Sequence, residues 1–236
     1  MGRQWLHSKK EVTANRRAQI TSKLVREIMV AAKSGTPDPA MNPRLALAVE
    51  AARKQSVSND VITRAINKAS GQGADAVNYE LVTYEGMGPH NVPVVVECMT
   101  ENRNRTAPDI RSLFRDAQFG SKVMFLFDHR GIVEATHETA GKDLEEAAIE
   151  AGAQDVQPLE STPEGHSGGR FFTDRTDMYE VANALKEAGW NVASAELGYV
   201  AKDLVELPPD DRAKVEAFLE RLDEHDDVHR VYAALK

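Results

Sequence analysis

Residues 81–99 read LVTYEGMGPHNVPVVVECM, and this stretch decides which kind of fold the chain can adopt. Leu81–Tyr84 and Pro93–Met99 are rich in β-branched residues, and the segment between them carries Gly, Pro and Asn. This pattern predicts two strands joined by a turn-rich connection. Apolar residues recur at helical spacing before the hairpin, and segments with helical spacing and segments with strand spacing both follow it. The sequence therefore predicts an α+β protein.

The sequence before the hairpin predicts three helices. Apolar residues recur at helical spacing in a first helix that we expect to begin near Thr13 and to end at Gly35. Asn42, followed by a proline, is the predicted N-cap of a second helix, and Ser58 is the predicted N-cap of a third. Together these helices predict a small three-helix domain.

The same region concentrates positive charge. From Arg3 to Lys68 the chain has thirteen Lys and Arg against five Asp and Glu, a formal charge of +8, and since the whole chain carries −8 the remainder carries −16. A basic segment on an acidic body predicts polyanion binding, whereas the alternative is an ordinary solvated helix surface. The predicted nucleic-acid-binding residues here are Arg3, Lys9, Lys10, Arg16, Arg17, Lys23, Arg26, Lys33, Arg53, Lys54, Arg64 and Lys68.

A second candidate site follows the hairpin. Thr106 with Asp109 three residues later predicts a capping box at the start of a helix. Free N–H groups at such a start, together with Arg103 and Arg105, would suit phosphate oxygens. The other interpretation is that the two arginines pair with acidic residues and the neighbouring asparagines shape the turn. The sequence leaves both interpretations open.

The C-terminal half predicts further helices and strands. Val123–Phe127 is a predicted strand, and Asp128–Gly131 is a predicted turn. A helix after Pro208 and a strand near Val228–Leu235 are expected to complete the sheet that begins at Tyr79. The predicted domains are therefore a basic helical domain at 1–76, a discontinuous α+β middle domain at 77–130 plus 206–236, and an acidic α+β domain at 131–205.

Other features of the sequence argue against several classes of function. We expect no membrane segment, because no apolar run reaches the roughly 18 residues that span a bilayer, and we expect a cytoplasmic protein. Cys98 lies in an apolar run and predicts a buried thiol. The histidines show neither a partner nucleophile nor ligand spacing, and Gly165–Gly169 is interpreted as a hairpin turn. We therefore expect no catalytic residue, metal, cofactor or small-molecule substrate.

The order of the motifs resembles the YebC/PmpR family. The resemblance rests on the basic helical first third, Tyr84–Pro89, Asn102–Thr106 and the terminal Asp227–Tyr232, and it covers essentially the whole chain. It implies three domains, a helical one followed by two α+β domains of which the middle one is discontinuous. The start Gly2-Arg3-Gln4-Trp5 resembles the shorter-N-terminus subgroup.

The resemblance implies a non-enzymatic regulator of gene expression and leaves two partners open. Members of the family are usually described as DNA-binding transcriptional regulators, while some relatives act on the ribosome, where this chain would contact rRNA and relieve stalling. The sequence shows no convincing recognition helix, and the cations of the first helix suit phosphates better than bases, so sequence specificity is unsupported. Reversing Arg16 and Lys23 to glutamate is expected to weaken binding and to leave folding intact.

Overall fold

The structure is a computed structural model that describes residues 14–71, 79–115, 117–159 and 161–236, the first four of them by their backbone alone. Arg3, Lys9 and Lys10, which the sequence predicts to bind nucleic acid, lie outside these residues. In chain order the helices and strands are α1 Ala14–Ser34, α2 Pro43–Lys54, α3 Asn59–Ala69, β1 Glu80–Met87, β2 Pro93–Thr100, α4 Arg103–Leu113, β3 Gln118–Phe119, β4 Phe127–His137, α5 Leu144–Ala151, β5 Asp155–Pro158, β6 Ser167–Thr173, α6 Met178–Glu187, β7 Asn191–Ala201, α7 Pro209–Asp223 and β8 Val228–Ala233.

These elements form two compact units, one containing the chain up to Asp128 together with Val200–Lys236 and the other containing His129–Tyr199. The α+β class and the helical N-terminal domain are confirmed. The domain boundaries near 76, 130 and 205 stay a prediction.

The first three helices pack around a shared apolar core, in which Ile28, Leu45 and Ala52 are fully buried. Asn42 links α1 to α2 as the predicted N-cap. Its Oδ1 accepts a hydrogen bond from the Leu45 N–H at 3.1 Å, and its Nδ2 donates to the Ala31 carbonyl at 2.9 Å. One amide side chain therefore satisfies backbone groups at the end of one helix and the start of the next.

The first sheet has the strand order β3-β1-β2-β8. β1 and β2 form the predicted hairpin, paired antiparallel from Glu80↔Thr100 to Met87↔Pro93. β8 lies antiparallel on the other side of β2, which confirms that the C-terminus completes this sheet. Helices α4 and α7 cover it, and the rings of Phe114 and Phe218 meet edge to face with centroids 5.1 Å apart.

The hairpin turn explains two unusual backbone conformations. His90 and Asn91 both have positive φ, at 55° and 57°, and the Val92 N–H donates to the Pro89 carbonyl at 3.3 Å. Positive φ at both central residues is the signature of a type I′ turn, whose twist matches that of the flanking strands. The residues of this segment therefore have a structural role, because they form the turn between β1 and β2.

Two predictions for residues 123–131 are wrong. Met124–Leu126 forms a single 3₁₀ turn, and β4 runs without interruption from Phe127. The Glu85 carboxylate accepts hydrogen bonds at 2.8 Å from the Val123 and Met124 N–H groups, which caps this turn from a distant strand. An apolar run alone could not reveal a cap supplied from elsewhere in the chain.

The second sheet has the order β5-β6-β4-β7. β6 pairs antiparallel with both β5 and β4, and α5 packs against α6. Helix α5 ends at Gly152, which takes the left-handed conformation with φ 79°. The glycine-rich turn is shorter than expected, because Ser167, Gly168 and Gly169 already belong to β6.

Cys98 is fully buried in β2, as predicted. Burial, with a smaller contribution from the Asp227 carboxylate, raises the pKa of the Cys98 thiol to about 12. Because the thiolate is the reactive form, this cysteine is a packing residue at neutral pH.

Gly86 is a position where the hairpin tolerates no side chain. A Cβ there would lie 2.6 Å from the Gln118 carbonyl oxygen and 2.8 Å from a Phe114 ring carbon, and Gln118 belongs to the paired strand β3.

We expect Gly86→Ala to lower the free energy of unfolding by about 3 kcal/mol, measured by urea denaturation. Gly120→Ala serves as the control, since nothing lies near its Cβ and only its φ of 80° is strained, which costs about 1 kcal/mol. Equal losses in the two variants would show that the clash is not real.

Candidate nucleic-acid interface

Lys23, a predicted phosphate contact on α1, is engaged within the chain. Its Nζ donates to the Asp223 carbonyl oxygen at 2.7 Å and to the Asp223 carboxylate at 3.0 Å, and its side chain is only 12% exposed. Lys23 therefore attaches α1 to the C-terminal end of α7. The sequence predicts that charge reversal at Lys23 leaves folding intact. In the structure, Lys23→Glu would place two carboxylates next to each other, so it should lower the free energy of unfolding.

Arg26, one turn further along α1, is held in the same way. Its Nη1 donates to the Asp226 carbonyl and lies 3.4 Å from an Asp227 carboxylate oxygen, and its guanidinium lies 5.4 Å from the Tyr79 ring centre. The side chain is 17% exposed. A guanidinium that is already paired with a carboxylate and packed on a ring is a structural group.

The opposite charge on α1 makes a third contact with the C-terminal region. Glu27 accepts a hydrogen bond from the Arg230 guanidinium at 3.2 Å, and its other carboxylate oxygen lies 3.6 Å from His229 Nε2. Lys23, Arg26 and Glu27 thus connect one turn of α1 to residues 223–230 with charges of both signs.

Arg103 and Arg105 lie in the first turn of α4, so the predicted capping box is wrong. Asn102 is the N-cap, and its side chain accepts from the Asn104 and Arg105 N–H groups at 3.1 and 3.2 Å. Thr106 lies inside the helix. An asparagine can cap a helix alone, and here it occupies N–H groups that a phosphate would need.

Of the two interpretations left open for these arginines, the structure shows pairing with carboxylates. Arg105 Nη2 lies 3.1 Å from Asp227 Oδ2, and Arg103 Nε lies 2.9 Å from Glu80 Oε1. Both guanidiniums keep about half of their surface exposed. Their role as nucleic-acid contacts stays a prediction.

Asp227 is the shared acceptor of this network; the sequence placed it in a family motif but not among the candidate site residues. It is 4% exposed, and its carboxylate accepts from Thr106 Oγ1 at 2.7 Å in addition to Arg105 and Arg26. Burial alone would raise the pKa of Asp227, but the hydrogen bonds from Thr106 and Arg105 and the nearby charges hold it below its ordinary value. Residues 223–227 are acidic and α1 is basic, and these opposite charges were the signal in the sequence that could have predicted the contact.

The other predicted cations of the helical region differ from Lys23 and Arg26 in how far they are exposed. Lys33, Arg53, Lys54 and Arg64 are exposed and Lys68 is half-buried. The contacts described for three of them are local to α2 and α3: Arg53 Nε donates to Asn59 Oδ1 at 3.2 Å, Arg64 Nε donates to the Asp60 carbonyl at 3.2 Å, and Lys54 Nζ lies 3.3 Å from Glu50. Arg3, Lys9 and Lys10, and the side chains of Arg16 and Arg17, lie outside the described residues.

Among the residues whose positions are described, no group of three His, Cys, Asp or Glu is arranged to hold a metal ion. Likewise, none of the helices described above is both long and apolar enough to cross a membrane.

The geometry thus defines an α+β protein whose helical N-terminal domain presents exposed cations. Sequence comparison agrees with it. Residues 2–72 match the TACO1/YebC protein N-terminal domain, and residues 79–235 match the TACO1/YebC second and third domain. The chain belongs to the TACO1/YebC family, which confirms the resemblance seen in the motifs.

Individual relatives match over their full length. A protein of Pseudomonas syringae named "Probable transcriptional regulatory protein" is 48% identical, covering 100% of this chain and 99% of its own length. "Probable transcriptional regulatory protein Bd1964" of Bdellovibrio bacteriovorus is 46% identical and covers 100% of both chains. The crystal structure of the conserved hypothetical protein Aq1575 from Aquifex aeolicus has a TM-score of 0.87 and 36% identity, covering 99% of this chain and 95% of its own.

Removing the charge of Asp227 tests the network. We expect Asp227→Asn to lower the free energy of unfolding by about 3 kcal/mol, because the buried carboxylate charge that Thr106, Arg105 and Arg26 share is lost. Asp226→Asn is the matched control, since that side chain is exposed and Asp226 contributes its backbone carbonyl instead. Urea denaturation at neutral pH measures both.

The pH dependence of the same pair of proteins gives a second test. Because the folded pKa of Asp227 lies below its ordinary value of 3.8, its stabilising contribution is present above pH 3.8 and is lost as the pH falls through the folded pKa. The difference in stability between wild type and Asp227→Asn should therefore shrink below pH 3.8. A difference that stays constant down to pH 2 would contradict this account.

Proposed function

We propose that this protein is a non-enzymatic regulator of gene expression in the cytoplasm and that it binds DNA through the exposed cations of α2 and α3. The names of its full-length relatives support a regulatory role. The proposal assigns no catalytic residue, metal, cofactor or small-molecule substrate to the chain.

The observation that carries this proposal is the division of the helical cations into two sets. Lys23 pairs with the Asp223 carboxylate, and Arg26 contacts the Asp226 carbonyl and the Asp227 carboxylate. The interface cations, which we define as Arg53, Lys54, Arg64 and Lys68 of α2 and α3, are mostly exposed, and the contacts described for the first three are local to these two helices. Exposed Lys and Arg that approach phosphates release condensed counterions, which is the main source of affinity for a polyanion.

The charge of the rest of the chain supports binding in one orientation. The remainder beyond Arg3–Lys68 carries a formal charge of −16. Such a body is repelled by a polyanion, so the helical domain is the part that approaches it first. A phosphate-contacting surface of this kind serves an rRNA helix as well as a DNA duplex, and the experiment below separates them.

Neutralising two interface cations tests the proposal. We expect Arg53→Gln with Lys54→Gln to weaken binding to a random-sequence duplex of about 25 base pairs roughly tenfold at low salt, and to reduce the slope of log K against log[salt] by about two. Fluorescence anisotropy over a salt series measures both quantities.

Lys202→Gln with Lys214→Gln is the matched control, because it removes two charges from side chains that are at least half exposed outside the helical domain. This variant should bind as the wild type does. Equal loss in the two double variants, or binding by neither the wild type nor any variant, would overturn the assignment of the surface. Cosedimentation with purified ribosomes and no affinity for the duplex would replace DNA by rRNA as the partner.

A further inference from the structure

The connection between α2 and α3 has the geometry of a helix-turn-helix unit. Only residues 55–58 separate the two helices, and Ser56 adopts a left-handed conformation with φ 59° in that turn. Both helices pack extensively on α1 but contact each other little. Two helices of this length would contact along their whole length if a short turn folded them into an antiparallel hairpin, so α3 diverges from α2.

Helix α3 has one buried face and one face that no described part of the chain covers. Ile62 and Ala65 are buried against the core of the helical domain. The outward face of α3, defined by residues at successive turns of the helix, consists of the exposed Asn59, Asp60, Thr63, Arg64 and Asn67 together with the half-buried Lys68.

The chemistry of this face differs from that of a purely phosphate-binding surface. The amide of Asn67 can donate and accept at once, which is the pattern that adenine presents in the major groove. Arg64 has the donors that guanine O6 and N7 accept, and Thr63 offers a hydroxyl and a methyl group. The cations of α1 predicted no recognition helix, whereas this mixture of donors and acceptors lies on α3.

We propose that Thr63, Arg64 and Asn67 on the outward face of α3 read base edges in the major groove of double-stranded DNA. This inference deepens the proposed function and rests on it. With 11 residues at 1.5 Å each, α3 is about 16 Å long, and the major groove of B-form DNA is about 12 Å wide and admits a helix. The major groove of A-form RNA is deep and narrow, so the same face fits RNA poorly.

The interface cations provide the phosphate contacts that position such a helix. Arg53 lies at the end of α2, and its Nε donates to Asn59 at the start of α3. This contact places the Arg53 guanidinium beside the outward face, where the backbone of a bound duplex would run, whereas Arg64 lies on that face and is assigned to a base edge.

Selection from a library of random duplexes, using the full chain, tests this inference. We expect the wild type to enrich a short sequence motif. Asn67→Ala should reduce affinity for the selected duplex about tenfold, relax the preference at one or two base pairs, and leave affinity for unselected duplexes within about twofold. Arg53→Gln is the matched variant, which should weaken selected and unselected duplexes alike and keep the motif.

The outcomes that overturn the inference differ from those that overturn the proposed function. Binding to unselected duplex with no enriched motif, or a motif that Asn67→Ala and Thr63→Ala leave unchanged, contradicts base reading by α3 and leaves DNA binding standing. Enrichment only from a parallel RNA library contradicts it as well. Absence of binding to any duplex overturns both. Thermal unfolding of each variant should match the wild type because the substituted side chains are exposed.

Discussion

The buried carboxylate of Asp227 is the constraint on which the first compact unit depends. A charge that is removed from water is stable only when partners from the protein replace its hydration. Here those partners come from separate parts of the chain, Arg26 on α1 and Arg105 and Thr106 on α4. The helical domain, the hairpin sheet and the C-terminal strand must therefore assemble together before this carboxylate is satisfied.

This constraint also separates the basic residues into two groups with different roles. Lys23 and Arg26 are chemically as suited to phosphate as Arg53 and Arg64, but they face the acidic segment 223–227 of their own chain. Displacing that segment would leave buried carboxylates without partners, which is costly. The cations of α2 and α3 carry no such cost, because their contacts are local and solvent-exposed.

The sequence was sufficient wherever a local pattern decides the structure. The N-cap at Asn42, the hairpin of residues 81–99 and the apolar faces of the helices each depend on neighbours within a few residues, and these expectations agree with the structure. The pairing of β8 with β2 was also predictable, since a final strand needs a sheet to join.

Apart from the capping box at Thr106, where Asn102 caps α4 instead, the expectations that failed depend on contacts between distant residues. The 3₁₀ turn after Val123 is capped by Glu85, 38 residues earlier. Lys23 meets Asp223 across 200 residues, so the charge pattern of α1 alone could not distinguish a docking contact from a phosphate contact. The outward face of α3 was visible in the sequence, but only the divergence of α3 from α2 shows that nothing covers it among the described elements.

The central claim is that the exposed cations of α2 and α3 meet nucleic acid, whereas Arg26 and Arg105 are held by Asp227. Arginine side-chain Nε–Hε spectra of the full chain, recorded by NMR as a DNA duplex is added, test it directly. The claim predicts that the signals of Arg53 and Arg64 shift while those of Arg26 and Arg105 stay in place. Shifts at Arg26 and Arg105 with none at Arg53 and Arg64 would contradict it.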